Sequence, residues 1–230
     1  MSLCSSCSAP VQPIVAIDVD GTIAEYHRHL HDHCTQYFDL RHLSSWNDPW
    51  DGSGNFEDYI GITQQQYQEA KLSFRQGGLK RTMRVMPHTF HLMKKIRQEG
   101  AEIWITTTRP WNRFDSVDPD TREWLRRNDI PWDHLLYDDH KYRRLHELVD
   151  PERVVAIVDD LPEMYEEAVQ MFGYSVPALI VRPHNAAYRR THQGYYCPDL
   201  YAFANHAIGR ILKWHSIHQS QKNIEAIAGG

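Results

Sequence analysis

A chain of 230 residues with 41% hydrophobic and 24% charged positions has the balance usual for a globular protein of one or two domains, able to bury roughly 70% of its unfolded surface. A net charge of −5 argues against a broad nucleic-acid footprint, which needs a basic face, though not against a local basic groove. No apolar run reaches the ~18 residues of a membrane span, Met1 to Pro10 lacks the marks of a secretory signal, and four cysteines are too few for a disulfide scaffold.

Residues 1–12 read as a flexible tail. Cys4 and Cys7 form a C-x-x-C there, but Cys34 and Cys197 do not complete a zinc set by spacing. Reduced thiols in a cytoplasmic protein are the expectation. Pro13 to Ile17 is a short apolar run, read as a buried strand that ends in Asp18-Val19-Asp20-Gly21-Thr22. Residues 23–38 look helical and 39–62 irregular. Thr63 caps a helix through about Arg75, ended by Gly77-Gly78. Helices then alternate with strands. His88 to Gln98 is a helix and Glu102 to Thr106 a strand. Asp118-Pro119 opens a helix over 119–128. Leu135 to Tyr137 is a strand, with a helix near 141–148. Val154 to Val158 is a strand without a polar residue. A helix follows over 162–172, and Ala178 to Val181 is expected as the last strand. Residues 200–215 make a final helix, with 216–230 fraying. This alternation predicts an α/β, three-layer fold with a parallel sheet. Its core is residues 13–23 and 87–200. A small, mostly helical insert fills 24–86, and 201–230 form a C-terminal helix and tail.

In such a sheet, ligands sit outside the carboxyl ends of the strands. Those ends deliver Asp18 and Asp20, then Thr106, Thr107 and Thr108, then Lys141, then Asp159 and Asp160. Four ionised carboxylates at one rim would repel a phosphate by about 4 kcal/mol per unit pair at ~4 Å and an effective dielectric near 20. A divalent ion together with Lys141 makes the cluster tenable. All-oxygen donors favour Mg²⁺. The site suits phosphoryl transfer onto a carboxylate.

Asp18-Val19-Asp20-Gly21-Thr22 after an apolar strand resembles the first motif of the haloacid dehalogenase-like superfamily. Ile105-Thr106-Thr107 resembles its second motif, Lys141 its third and Ile157-Val158-Asp159-Asp160 its fourth. The resemblance spans roughly residues 13–185. It implies that Asp18 is a nucleophile forming an aspartyl-phosphate and that Asp20 is the general acid and then base. It gives Thr107 and Thr108 contacts to the phosphoryl oxygens and Lys141 the charge balance. Mg²⁺ would be held by Asp18, the backbone carbonyl of Asp20, and Asp159 or Asp160, with Asp160 preferred as the direct ligand. An acid two residues after the nucleophile is typical of the superfamily's phosphatases and phosphotransferases, not of its dehalogenases. A free carboxylic acid near pKa 3.9 is a poor general acid, so the site is expected to raise that of Asp20.

In this superfamily an insert after the first motif is a cap that selects the substrate. The insert, with Leu43 to Trp50 and Tyr59 to Thr63, resembles the 5'(3')-deoxyribonucleotidase branch. Arg182-Pro183-His184-Asn185 resembles a Pro-x-Asn element of its bacterial members. The expected substrate is therefore a small phosphomonoester, a nucleoside monophosphate, with no membrane partner. Trp46 or Trp50 would stack on its base, against the plainer reading of packing inside the insert. Arg109 and Arg113 could hold a second phosphate or the sugar, or could simply be a solvated helix entry. Thr108-Arg109-Pro110-Trp111 with Asp118 to Trp124 also resembles the phosphatase half of phage polynucleotide kinases. Those act on 3'-phosphate ends of nucleic acid, and the insert tells against that alternative. A non-catalytic binding protein that keeps the fold is a third reading. His27, His29, His31 and His33 form i, i+4 pairs that could bind zinc or nickel, and a solvated helix face is the expectation.

Overall fold

The computed structural model describes residues 11–40, 46 and 48–228, with side chains through 221. Cys4 and Cys7 lie outside them. Strand β1 (Ile14–Asp18) is buried at every position. It pairs in parallel with β2 (Glu102–Thr107) on one side and β4 (Val154–Asp159) on the other. The sheet is completed by β3 (His134–Tyr137), β5 (Pro177–Ile180) and β6 (Tyr196–Cys197), in the order β3-β2-β1-β4-β5-β6. All pairings are parallel. The apolar run of Val154 to Val158 is explained by this position: a strand in the middle of a parallel sheet is covered on both faces. Alternate residues of β1 serve opposite layers. Val15 and Ile17 join one core with α4 (Thr89–Gln98), Trp124 of α5 (Val117–Arg127), and Phe203, Ala207 and Ile211 of α9 (Leu200–Ala228). Ile14 and Ala16 join the other, with α6 (Lys141–Leu148) and α7 (Pro162–Phe172). A short α8 (Ala186–Thr191) follows β5.

Three of the departures from the expectation have a plain structural cause. α5 begins at Val117, so Pro119 sits within the first turn, where its missing N–H costs nothing. There Asp118 pairs with Arg122 at 2.9 Å. β5 is not the last strand, because the two-residue β6 pairs with it. A strand that short leaves no readable alternation. α9 runs on to Ala228 instead of fraying after 215. Its middle is fixed by Ile211 and Trp214 in the core and by His215, whose Nε2 lies 2.9 Å from the Glu99 carbonyl.

Between β1 and α4 the chain builds α1 (Tyr26–Tyr37), α2 (Phe56–Ile60) and α3 (Gln64–Gln76). The Thr63 cap is a full capping box, with Gln66 returning the bond to the Thr63 N–H. α2 falls inside the stretch read as irregular, and five residues are too few to show a helical period. Phe74 of α3 lies edge-on to Tyr26 and His33 of α1. The entering and leaving segments are stitched together: Glu25 N–H donates to the Arg84 carbonyl and Met86 N–H to the Ile23 carbonyl, both at 2.9 Å. No helix among the described residues is long and apolar enough to cross a membrane.

Candidate active site

With strand order 3-2-1-4-5-6, the chain reverses its direction of travel between β1 and β4, and a crevice opens at their carboxyl ends. Asp18 ends β1 and Asp159 ends β4. Lys141, at the first turn of α6, is fully buried between them. Its Nζ donates to Asp18 Oδ1 at 2.5 Å and lies 2.7 Å from Asp159 Oδ2. Tyr142 O–H donates to the same Asp159 oxygen at 2.6 Å. Asp159 Oδ1 accepts the Leu161 N–H, so Asp159, not Asp160, serves the start of α7. Asp160 is also fully buried. Its Oδ1 accepts from Thr22 Oγ1 at 3.1 Å, and its backbone carbonyl accepts from Asn185 Nδ2. Gly21 has φ +95°, and a Cβ there would stand 1.9 Å from Asp160 Oδ2. Glycine is therefore required by both conformation and space.

Asp18, Asp159 and Asp160 each offer a carboxylate oxygen within 4.8 Å of the others. Burial, reinforced by the neighbouring carboxylates, lifts Asp18 well above the usual range, even though Lys141 opposes it. Burial and Asp159 push Asp160 up to about 8. Burial works against the Lys141 charge, but Asp159 and Asp18 outweigh it and raise its pKa. Asp18 Oδ2 is buried and makes no hydrogen bond, and Asp160 Oδ2 is buried with His184 Nε2 2.6 Å away in a geometry that completes none. Unsatisfied buried oxygens among all-oxygen donors fit a Mg²⁺ ion.

Asp20 stands apart from this trio, and here the expectation fails. Arg109, only 3% exposed, grips both of its oxygens. Arg109 Nη2 is 2.5 Å from Oδ1 and Nε is 2.9 Å from Oδ2. Lys80, buried in the insert, pairs with the same carboxylate. Burial alone would raise Asp20, but Arg109 and Lys80 overcome it and hold the acid far below its ordinary value. The environment thus lowers this pKa instead of raising it. Lys80 is in turn brought down to about 7, by burial working against the attraction of Asp20.

Thr107 is buried, and its Oγ1 accepts the Arg109 N–H at 3.3 Å. Thr108 is half-buried beside it. Arg109 is no solvated helix entry: its third contact is Thr121 Oγ1 at 2.7 Å. Arg113 is exposed. Trp50 packs within the insert against Phe56 at 5.2 Å, stacks over His184, and donates its indole N–H to the Ser53 carbonyl. Trp46 contacts His31 and Tyr59, and it also lines a cleft with Gly21, His27, Arg28, Met86 and His184. A second cleft lies on the Arg109 side, lined by Trp111, Tyr137 and His140.

The histidine helix is not a solvated face. His31 is buried against Trp46 and Tyr59, and His33 meets Phe74 and Tyr37. His27 faces His184 across the seam, with ring centroids 4.0 Å apart. Sequence reasoning passed over Lys80, and it named Arg182 and His184 only as part of the Pro-x-Asn element, with no role of their own. Arg182 donates to the Gly21 and Thr22 carbonyls at 2.7 and 2.8 Å. The Pro-x-Asn element was a usable signal for Asn185, which joins the Asp160 and Ile180 carbonyls. Nothing local distinguishes Lys80 from a surface lysine.

No protein-family model matches the chain, and no curated protein matches its sequence. Solved structures do. One is a haloacid dehalogenase-like family hydrolase from Streptococcus pneumoniae, with TM-score 0.55 and 13% identity over 83% of this chain and 95% of that one. Another is a D,D-heptose 1,7-bisphosphate phosphatase from B. bronchiseptica complexed with magnesium and phosphate, with TM-score 0.51 and 11% identity over 84% and 97%. A third is an L-2-haloacid dehalogenase, with TM-score 0.51 and 16% identity over 85% and 98%. A phosphatase and a dehalogenase align about equally well, so the likeness speaks for the fold and not for the reaction. The parallel sheet, its strand order and these neighbours together establish that the chain has the fold of the haloacid dehalogenase-like hydrolases.

Proposed function

We propose that the protein is a Mg²⁺-dependent phosphomonoesterase that works through an aspartyl-phosphate on Asp18, with nucleoside monophosphates as substrates. The observation that carries this reading is the free, buried Oδ2 of Asp18 beside Lys141, Asp159 and Asp160. Asp18, Asp160 and the carbonyl of Asp20 would hold the ion, with Asp159 beside them. When bound, it offsets the carboxylate charge and draws density from a phosphoryl oxygen.

Lys141 steadies Asp18 through Oδ1, which keeps a lone pair with which it would hold the ion, and leaves Oδ2 to attack phosphorus. The Asp18–phosphorus bond forms as the ester oxygen leaves. Asp20 protonates that oxygen, then takes a proton from the water that cleaves the aspartyl-phosphate. Thr107 and Thr108 offer hydroxyls to the phosphoryl group. Asp20 can carry a proton only once its cations are diverted. A dianionic phosphoryl group is the natural competitor for Arg109 and Lys80, and its arrival raises the pKa of Asp20. Substrate binding and acid activation then become one event.

Nucleotide specificity rests on the resemblance of the insert and on the Trp46-lined cleft, which offers an apolar wall with polar edges. The test is phosphate release from nucleoside monophosphates, 3'-phosphorylated oligonucleotides and an aryl phosphate, with Mg²⁺ or EDTA. Mg²⁺-dependent release from monophosphates is expected, with KM raised by Trp46→Ala. Release from oligonucleotide ends alone would move the assignment to nucleic-acid end processing. Silence throughout would leave a binding role.

A further inference from the structure

We propose that His27, His184 and Asp160 form a binding site for one divalent transition-metal ion of the cobalt, nickel or zinc kind, at the seam between the helical insert and the sheet. One ligating atom from each residue lies within 4.8 Å of the other two. The three come from α1, from the segment after β5 and from the residue after β4, so the tertiary fold assembles them, not chain proximity.

Two of these atoms meet directly. Asp160 Oδ2 and His184 Nε2 are both buried and stand 2.6 Å apart, at ion-pair distance, in a geometry that completes no hydrogen bond. The His184 side chain is only 7% exposed. A cation between them satisfies both atoms once they part to the ~3 Å spacing of ligands bonded at about 2.0–2.2 Å. The surroundings already hold the ligands in place. Asp160 is oriented by Thr22 on Oδ1 and by Asn185 on its carbonyl. His184 lies under Trp50, His27 is edge-on to Phe56 at 5.8 Å, and the two imidazoles face each other at 30°. Outer contacts of this kind fix ligand orientation in metal sites. The cleft lined by Gly21, His27 and His184 gives the ion a way in.

The donor set decides the class of ion. Two imidazole nitrogens and one carboxylate suit first-row transition ions, whereas Mg²⁺ takes oxygen ligands and keeps its water. Arg182 lines the same cleft, and its guanidinium disfavours any cation held by charge alone. An ion that gains from imidazole bonding overcomes this. The bound ion would clamp α1 of the insert to the sheet, and it shares Asp160 with the acidic trio. The proposal does not depend on the phosphatase reading, and its test reads metal binding, not turnover.

Crystals of the full chain grown with MgCl₂ and soaked in CoCl₂ would be measured at the cobalt absorption edge. An anomalous peak within bonding distance of His27, His184 and Asp160 is expected. Cobalt at other histidines with none here would overturn the proposal. In calorimetric Co²⁺ titrations of the metal-stripped chain, His27→Phe and His184→Phe should each remove one bound ion from the stoichiometry. An unchanged stoichiometry in both folded variants would contradict the site. Should a variant fail to fold, the anomalous map of the unaltered chain decides.

Discussion

Arg109 and Asp20 form a two-point ion pair in the crevice, with contacts of 2.5 and 2.9 Å, and Lys80 reaches the same carboxylate from the insert. Two buried cations therefore depend on one acid. Asp20→Asn leaves both without their charge partner, a loss of the order of 3–5 kcal/mol. For a chain of this length that is a fall in Tm on the order of 10 °C, readable by calorimetry. Because Asp20 is held far below its ordinary 3.8, its contribution is present above that value and fades as pH falls toward the folded-state value. The variant should lack this acid-side slope.

Lys80 gives a slope of the same sign in a different pH window. Its folded value of about 7 lies below the ordinary 10.5. Between those values the unfolded chain binds a proton that the folded chain does not, so this group makes stability rise with pH across that window. Denaturant titrations of the unaltered chain from pH 7 to 10 should include this rise. Lys80→Met should flatten it, and an identical slope in the variant would show that the lysine is not strained.

The trio of Asp18, Asp159 and Asp160 repels itself without a cation. Asp160→Asn should raise the Tm of the metal-free protein by a few degrees, corresponding to about 1 kcal/mol or more. The unaltered protein should gain about 2.7 kcal/mol at a hundredfold excess of Mg²⁺ over its Kd. Asp160→Asn should lose most of that response. Thermal melts with and without Mg²⁺ measure both.

Gly21→Ala places a methyl group 1.9 Å from Asp160 Oδ2 at a backbone angle that alanine resists. Strain of this kind costs about 1–3 kcal/mol. It also displaces the Asp160 carboxylate, so the Mg²⁺-induced rise in Tm should shrink along with the stability. Gly54→Ala, at φ +64° with open space around it, is the control for backbone strain alone.

Much of this was legible in the sequence, for identifiable reasons. β1 and β4 are buried on both faces, so their apolar runs could not be mistaken for half-exposed strands. Asp18 and Asp159 follow directly from those strand ends, and Lys141 from the segment after β3. The pairing of Asp20 was not legible, because Lys80 lies 60 residues away and Arg109 lies 89 away. Both look like surface residues until the insert folds over the crevice. The same holds for His27 and His184, which the fold alone brings together. Spacing along α1 pointed instead to i, i+4 pairs. Trp46 and Trp50 were indistinguishable by composition; their difference is that Trp46 lines a cleft, whereas the indole of Trp50 is tied to Ser53.

The central claim is that Asp18 takes the phosphoryl group. The direct measurement is an acid quench during turnover of a nucleoside monophosphate with Mg²⁺, followed by borohydride reduction and peptide mass analysis. An aspartyl-phosphate is reduced to homoserine, so the account predicts homoserine at position 18 in the substrate-treated protein and none without substrate. Homoserine at a different aspartate, or Mg²⁺-dependent phosphate release that persists in Asp18→Asn, would contradict it.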